Sequence, residues 1–115
     1  MKNKNKRISK NEFRYNKITK HHNYIFEEDG EDYHSLGLTT RKRTRDRNKK
    51  WHKNMPLENN PKRNDTRKSY IRYGYITQNK NTFGKVDRRF NFSNTDMPKV
   101  KSKIRHFKNV RRKKQ

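Results

Sequence analysis

Residues 23–40, NYIFEEDGEDYHSLGLTT, predict a β-hairpin. Two strand-like stretches, NYIFEE and YHSLGLT, flank the polar segment DGED. Asp-Gly is a strong turn signal because glycine tolerates the positive φ angle of a tight hairpin turn. Side chains alternate between the two faces of a strand, so we expect His34, Leu36 and Leu38 on one face. The leucines then serve the core, and His34 lies at its rim.

A second hairpin is predicted further along the chain. Residues 70–77, YIRYGYIT, are rich in tyrosine and isoleucine, which favour the pleated surface of a strand. Residues 83–92, FGKVDRRFNF, form the second predicted strand, and QNKN between them supplies a turn. Tyr73, Tyr75, Phe90 and Phe92 are interpreted as core residues of this hairpin.

The C-terminal segment predicts an amphipathic helix. Met97, Val100, Ile104 and Phe107 recur at steps of three and four residues, which places them on one helical face. Either residue of the pair Asn94-Thr95 is a suitable N-cap. The predicted fold class is therefore α+β: a small antiparallel sheet of two hairpins with a C-terminal helix, flanked by flexible basic segments.

The predicted organisation is one small domain with basic extensions. Residues 1–22 are expected to form a flexible basic arm, residues 23–110 the domain, and residues 111–115 a basic tail. A long basic loop is expected at 41–69, where we expect Trp51, Met55 and Leu57 to pin its middle to the core. The predicted core comprises Ile25, Leu36, Leu38, Ile71, Tyr73, Val86, Phe90, Phe92, Val100, Ile104 and Phe107.

The composition indicates a polyanionic partner. The 115 residues carry a formal net charge of +23, and only 24% are hydrophobic. Repulsion among so many cations opposes compaction, and a bound polyanion relieves it. Nucleic acid is the most common partner of this kind. The alternative is a solvated basic chain whose charges contact nothing.

Arginine is the more informative of the two cations, since it binds phosphate bidentately and stacks on bases. The densest track runs through residues 41–50. Tyr70 and Arg72 are expected on the surface of their strand, where they would recognise an unpaired base. The residues predicted to contact nucleic acid are Arg41, Lys42, Arg43, Arg45, Arg47, Lys49, Lys50, Tyr70, Arg72, Arg88, Arg89, Arg105, Arg111 and Arg112.

A second hypothesis is catalytic. Small basic endoribonuclease toxins cleave RNA with a base, an acid and a cation that stabilises the phosphorane. His34 or His52 could serve as the base, with Glu28 or Glu31 and Arg72 nearby. Spacing along the chain does not bring these groups together, so the sequence favours a protein that is not an enzyme.

Several site classes find no support in the sequence. The chain has no cysteine, which excludes disulfides and thiol chemistry. His21 and His22 are adjacent, without further ligands at metal-binding spacing, so no metal site and no cofactor are predicted. No apolar run is long enough to span a bilayer, and we expect a cytoplasmic protein.

The favoured interpretation is a small basic nucleic-acid-binding protein, with RNA slightly favoured over DNA. A ribosome-associated protein with a ribonucleoprotein partner fits this interpretation, as does an accessory protein of a phage or mobile element. The two alternatives are the endoribonuclease toxin and a DNA-binding protein of the relaxosome or phage type.

Overall fold

The structure is a computed structural model that describes residues 7–113. Within these residues the fold is α+β, with nine strands, all paired antiparallel, and one α-helix. The elements are β1 Arg7–Asn16, β2 His21–Asp29, β3 Asp32–Thr39, β4 Arg43–Arg45, β5 Trp51–Lys53, β6 Met55–Pro56, β7 Tyr70–Ile71, β8 Ile76–Asn79, a short 3-10 helix Lys80–Thr82, β9 Phe83–Val86 and α1 Met97–Lys113.

Seven of these strands form one sheet in the order β6-β7-β3-β2-β1-β9, with β8 also paired to β3. The beginning of β3 pairs with β8, and its end pairs with β7. Strands β4 and β5 form a separate two-stranded hairpin. Irregular pairing between Ser9 and Glu12, and between Ile25 and Glu27, increases the local twist and curls the sheet.

The hairpin predicted at 23–40 is present as β2 and β3. Asp29 pairs with Asp32 across a two-residue turn. Gly30 has φ +60° there, whereas Glu31 does not have a positive φ. Glycine in the first of two turn positions matches the requirement of a type II′ turn, which suits the twist of the flanking strands.

The prediction of a flexible arm over residues 1–22 is wrong from residue 7 onwards. Residues 1–6 lie outside the residues that the structure describes. Residues 7–16 form β1, which lies inside the sheet between β2 and β9. Phe13 is buried in the core. The cations of β1 also meet the acidic end of β2, with Arg7 3.4 Å from Asp29 and Lys10 3.4 Å from Glu28. Apolar burial and charge pairing together explain why this segment is a strand.

The second predicted hairpin is also wrong, because β8 pairs with β3 and β9 pairs with β1. The strand predicted over 70–77 is interrupted after Ile71. There the Tyr73 amide donates to Oδ1 of Asn54 at 3.0 Å, and the Tyr75 hydroxyl donates to the Lys103 carbonyl at 2.8 Å. These two hydrogen bonds hold Tyr73 and Tyr75 outside the sheet.

The segment 41–69 is not one irregular loop, because it contains β4, β5 and β6. Leu57 is fully buried, as expected for a residue that pins this segment, and Met55 packs against the core. Trp51 is a correction, since it is 55% exposed. The predicted tail is helical as far as Lys113, and residues 114–115 lie outside the described part.

The helix begins one residue after Asp96, not at the caps predicted from Asn94 and Thr95. The Asp96 carbonyl accepts from the amides of Lys99 and Val100. Its fully buried carboxylate accepts from the amides of Glu58 at 2.7 Å and Asn59 at 3.0 Å. Asp96 therefore connects residues 58–59, which belong to the segment 41–69, to the start of α1.

The core lies mainly between the sheet and α1. Of the predicted members, Ile25, Leu36, Leu38, Ile71, Phe92 and Val100 are buried, and Phe90, Ile104 and Phe107 pack against them. Tyr73 and Val86 are corrections, because both are only half-buried. Buried residues that the predicted core left out are Phe13, Tyr24, Phe26, Tyr33, Tyr70 and Phe83.

Candidate nucleic-acid interface

The β4–β5 hairpin is fixed to the rest of the fold by Asn54. This buried side chain donates to the Arg41 carbonyl at 3.0 Å and to the Thr44 hydroxyl at 2.8 Å. Its backbone amide donates to the Lys42 carbonyl at 2.8 Å. Because Asn54 also accepts from the Tyr73 amide, the hairpin and the segment after β7 are held together.

Asp46 shapes the turn of the same hairpin. Its carboxylate accepts from the amides of Asn48 at 2.8 Å and Lys50 at 3.0 Å, the pattern of an Asx turn. Nε2 of His52 lies 2.7 Å from Oδ2 of Asp46, and this hydrogen bond is the main cause of the lowered pKa of Asp46. The His52 ring stacks on Tyr73 with 4.1 Å between centroids.

The hairpin presents positive charge to solvent. Residues 41–53 contain eight Lys and Arg residues and one acid. None of these eight cations forms an ion pair within residues 7–113. The Arg45 guanidinium lies 5.6 Å from the ring centre of exposed Trp51. An exposed indole beside unpaired guanidinium groups is suited to bases and phosphates.

A cleft of about 440 Å³ lies at the base of the hairpin and brings together Arg41, Arg45 and Arg72; we call it the Arg72 cleft. Trp51 and His21 also line it. Burial, followed by the positive charges of Arg72 and Arg41, lowers the pKa of His21 below its usual 6.5. The positive charges of Arg72 and Arg41, which contribute to this shift after burial, would attract an anion.

Arg72 reaches this cleft because of its contact with β3. Its amide donates to the Gly37 carbonyl at 2.8 Å. A Cβ at Gly37 would lie 3.1 Å from Cδ of Arg72, so the stem of the arginine passes directly over the glycine. A larger residue at Gly37 would displace the Arg72 side chain by a few tenths of an ångström.

Two further basic clefts adjoin this region. The Lys62 cleft, about 270 Å³, is lined by Lys20, Lys62 and Arg67, among others. The Arg89 cleft, about 840 Å³, is lined by residues that include Tyr15, Lys85, Arg88 and Arg89.

Each of these two clefts also holds one carboxylate, which is paired with an arginine. Arg67 lies 2.6 Å from Asp65, and the pKa of Asp65 falls to about 2 because of that arginine. Arg89 lies 2.6 Å from Asp87, whose pKa is lowered chiefly by the hydrogen bond from Arg89.

Most of the predicted contact residues are exposed, with two corrections. Tyr70 is buried, so it does not offer a surface ring. Arg111 lies 2.6 Å from the buried carboxylate of Glu27 and serves the fold. Arg72 is half-buried at its cleft. The remaining predicted contacts are exposed: Arg41, Lys42, Arg43, Arg45, Arg47, Lys49, Lys50, Arg88, Arg89, Arg105 and Arg112.

His34 is occupied by structural partners. Its Nδ1 lies 2.7 Å from the Thr77 hydroxyl, and its Nε2 lies 2.9 Å from Oδ2 of Asp29. The ring contacts Phe26 and Phe107, and the side chain is 10% exposed. The hydrogen bond from His34 is the main cause of the lowered pKa of Asp29. A general base needs a free nitrogen that reaches the substrate, and this arrangement offers none.

The other groups named for RNA cleavage also have separate partners. Glu28 lies 2.7 Å from Lys80, and His52 is bonded to Asp46. Glu31 is exposed at the turn after β2, whereas Arg72 lines its own cleft.

One carboxylate-histidine cluster has the spacing of metal ligands. Glu27, Asp29 and His34 offer ligand atoms within 4.8 Å of one another. Their charges are already compensated, since Arg111 pairs with Glu27 and Arg7 pairs with Asp29. This cluster is therefore explained by ion pairing within the fold.

No protein-family model, curated protein or solved structure matches the chain, so its function is inferred from its own residues and geometry. No helix within residues 7–113 combines the length and apolarity needed to cross a bilayer. The exposure of Trp51 was not predicted from the sequence, although an indole inside a run of cations is itself a signal for a surface ring. The sequence carried no comparable signal that His21 and Tyr15 line clefts, because their placement there depends on the pairing of β1 with β2.

Proposed function

We propose that this protein is a non-enzymatic nucleic-acid-binding protein that holds backbone phosphates at the Arg72 cleft and along the β4–β5 hairpin. The observation that carries the proposal is the convergence of Arg41, Arg45 and Arg72 beside an exposed Trp51. Guanidinium groups without carboxylate partners are free to take a phosphate in the bidentate manner.

RNA is the favoured nucleic acid. Sequence-tolerant binding of RNA commonly combines a basic groove with aromatic rings that accept unpaired bases. The Arg72 cleft has both features on one rigid base, because Asn54 and Gly37 fix its two sides. Duplex DNA, whose bases are stacked on each other, would use the cations alone.

Fluorescence anisotropy with a labelled single-stranded RNA tests the proposal. The triple variant Arg41→Gln, Arg45→Gln, Arg72→Gln removes three phosphate contacts. Each contact to a single strand contributes about 0.7 to the slope of log K against log salt, so the slope should weaken by about 2. The labelled RNA should remain intact throughout.

A charge-matched control removes three exposed cations from α1: Lys101→Gln, Arg105→Gln, Arg112→Gln. This control should change the slope far less than the cleft variant. Equal losses in the two variants would show that diffuse net charge, rather than the cleft, binds the RNA. Cleavage of the RNA that disappears in His34→Ala would overturn the non-enzymatic assignment.

A further inference from the structure

The three basic clefts adjoin one another through two neighbouring residues. His21 lines both the Arg72 cleft and the Lys62 cleft. His22 lines both the Lys62 cleft and the Arg89 cleft. The three clefts therefore meet around the start of β2, where consecutive side chains point to opposite faces of the sheet; we call this group of clefts the histidine track.

Each part of the track has cations available for a phosphate. Beyond the arginines of the Arg72 cleft, Lys20 and Lys62 line the middle of the track, and Lys85 and Arg88 line its far end. None of these four cations forms an ion pair within residues 7–113. The carboxylates of the track, Asp65 and Asp87, are each held by an arginine.

An exposed aromatic ring lies at each end of the track. Trp51 is 55% exposed at the Arg72 cleft, and Tyr15 is 39% exposed at the Arg89 cleft. Tyr15 is held edge-on against His22, whose ring stacks on Phe90 with 4.3 Å between centroids. Trp51 has the Arg45 guanidinium 5.6 Å from its ring centre, and both aromatic residues keep exposed surface on which another ring can stack.

We infer that the histidine track binds one single strand of nucleic acid across all three clefts, with unpaired bases stacked on Trp51 and Tyr15. This inference rests on the proposed function and specifies its ligand. A single strand follows from the chemistry, because the bases of a duplex are already stacked on each other. The cations between the two rings hold the phosphates that connect the stacked bases.

Trp51 is the only tryptophan in the chain, so its fluorescence reports on stacking directly. A 12-nucleotide single-stranded RNA should quench the emission on binding, whereas an RNA duplex of the same length should quench it little. Stacking on one aromatic residue typically changes affinity by about tenfold. Trp51→Leu and Tyr15→Leu should each lose about tenfold in affinity for the single strand and less than twofold for the duplex.

Two controls separate stacking from folding. Trp51→Phe keeps a ring and should retain most of the affinity. Val110→Ser removes an exposed apolar side chain from α1, outside the three clefts, and should change nothing.

The inference is overturned if the duplex binds as tightly as the single strand, or if Trp51→Leu and Tyr15→Leu leave single-strand affinity unchanged. In those cases the proposed function stands as long as the triple arginine variant loses affinity for both ligands. If neither RNA binds the wild-type protein, the proposed function itself fails.

Discussion

Two His-Asp pairs with similar geometry lie in opposite surroundings. Nε2 of His34 lies 2.9 Å from Asp29, and Nε2 of His52 lies 2.7 Å from Asp46. His34 is buried between the sheet and α1, close to the ion pair of Glu27 with Arg111. His52 belongs to a hairpin whose cations have no ion-pair partners within the described residues.

The difference shows how a chain of such high charge divides its cations. Where a carboxylate is available, as at Glu27, the cation becomes part of the fold. Where carboxylates are scarce, as in β4 and β5, the cations have no ion-pair partner within the described residues, and these are the cations that we propose bind phosphate. The same residue types therefore stabilise one region and leave unpaired charge in the other.

Breaking the buried ion pair should have the largest effect on stability. Glu27→Gln leaves Arg111 and Lys108 without their shared carboxylate. Removing one partner of a buried pair costs about 3–5 kcal/mol, and the partial exposure of Arg111 places the expected loss nearer about 2 kcal/mol. Urea unfolding followed by circular dichroism measures it.

Arg111→Gln should cause a similar loss, and the double variant should recover part of it, because no unpaired charge then remains. RNA affinity of the folded variants should stay close to that of the wild type. Additive losses in the double variant would contradict the coupling of these two residues.

A substitution of Asp46, the partner of His52 in the exposed hairpin, should change the affinity for RNA. Asp46→Ala removes the only acid of residues 41–53, so a binding mode set by net charge predicts tighter RNA binding. We expect weaker binding instead, by about fivefold, because the loss of a local side-chain bond to backbone amides typically costs about 1 kcal/mol.

Anisotropy titration at constant salt gives this change directly. Asp65→Ala is a useful control, since it removes one acid, here from the Lys62 cleft, but leaves the β4–β5 turn intact. Tighter binding by Asp46→Ala would mean that the ordered turn is not needed.

The pH dependence of binding should be the smallest effect. In the free protein the pKa of His21 is lowered by burial and by Arg72 and Arg41. A phosphate bound to these arginines offsets their repulsion and raises this pKa, so the complex takes up a proton more readily. Affinity should therefore rise about threefold as pH falls from about 7 to about 5.

The comparison of wild type with His21→Gln isolates this contribution. The variant should show a flatter pH profile, whereas His22→Gln should keep the dependence that arises from His21. Stability has the opposite pH dependence. Because the pKa of His21 is lower in the folded chain, protonation of His21 below about pH 6.5 favours the unfolded chain. An affinity that falls on acidification would contradict the placement of a phosphate beside His21.

Local signals made part of this fold predictable. The turn at Asp29-Gly30 and the apolar face of α1 are each determined by residues that are close in the sequence, and both elements are present. Strand β1 was missed because its segment has few apolar residues besides Phe13, and its partners lie in the acidic end of β2. Pairing of this kind depends on distant charges.

The site depends on distant pairing as well. Arg41 and Arg72 meet because Leu38 pairs with Ile71, which joins the end of β3 to β7. Arg111 and Arg112 are adjacent in the sequence, yet Arg111 is paired with Glu27 and Arg112 is exposed. The sequence alone does not distinguish these two arginines. The polyanionic partner that the composition indicates stays a prediction, whereas tertiary contacts decide which arginines lack an ion-pair partner within the described residues.

Photo-crosslinking would locate bound RNA on the wild-type protein. RNA that carries 4-thiouridine would be crosslinked to the protein, and the modified peptides identified by mass spectrometry. We expect crosslinks in the peptides that contain Tyr15, His21, His22 and Trp51. Crosslinks concentrated in α1, with the histidine track and the β4–β5 hairpin unmodified, would contradict this expectation.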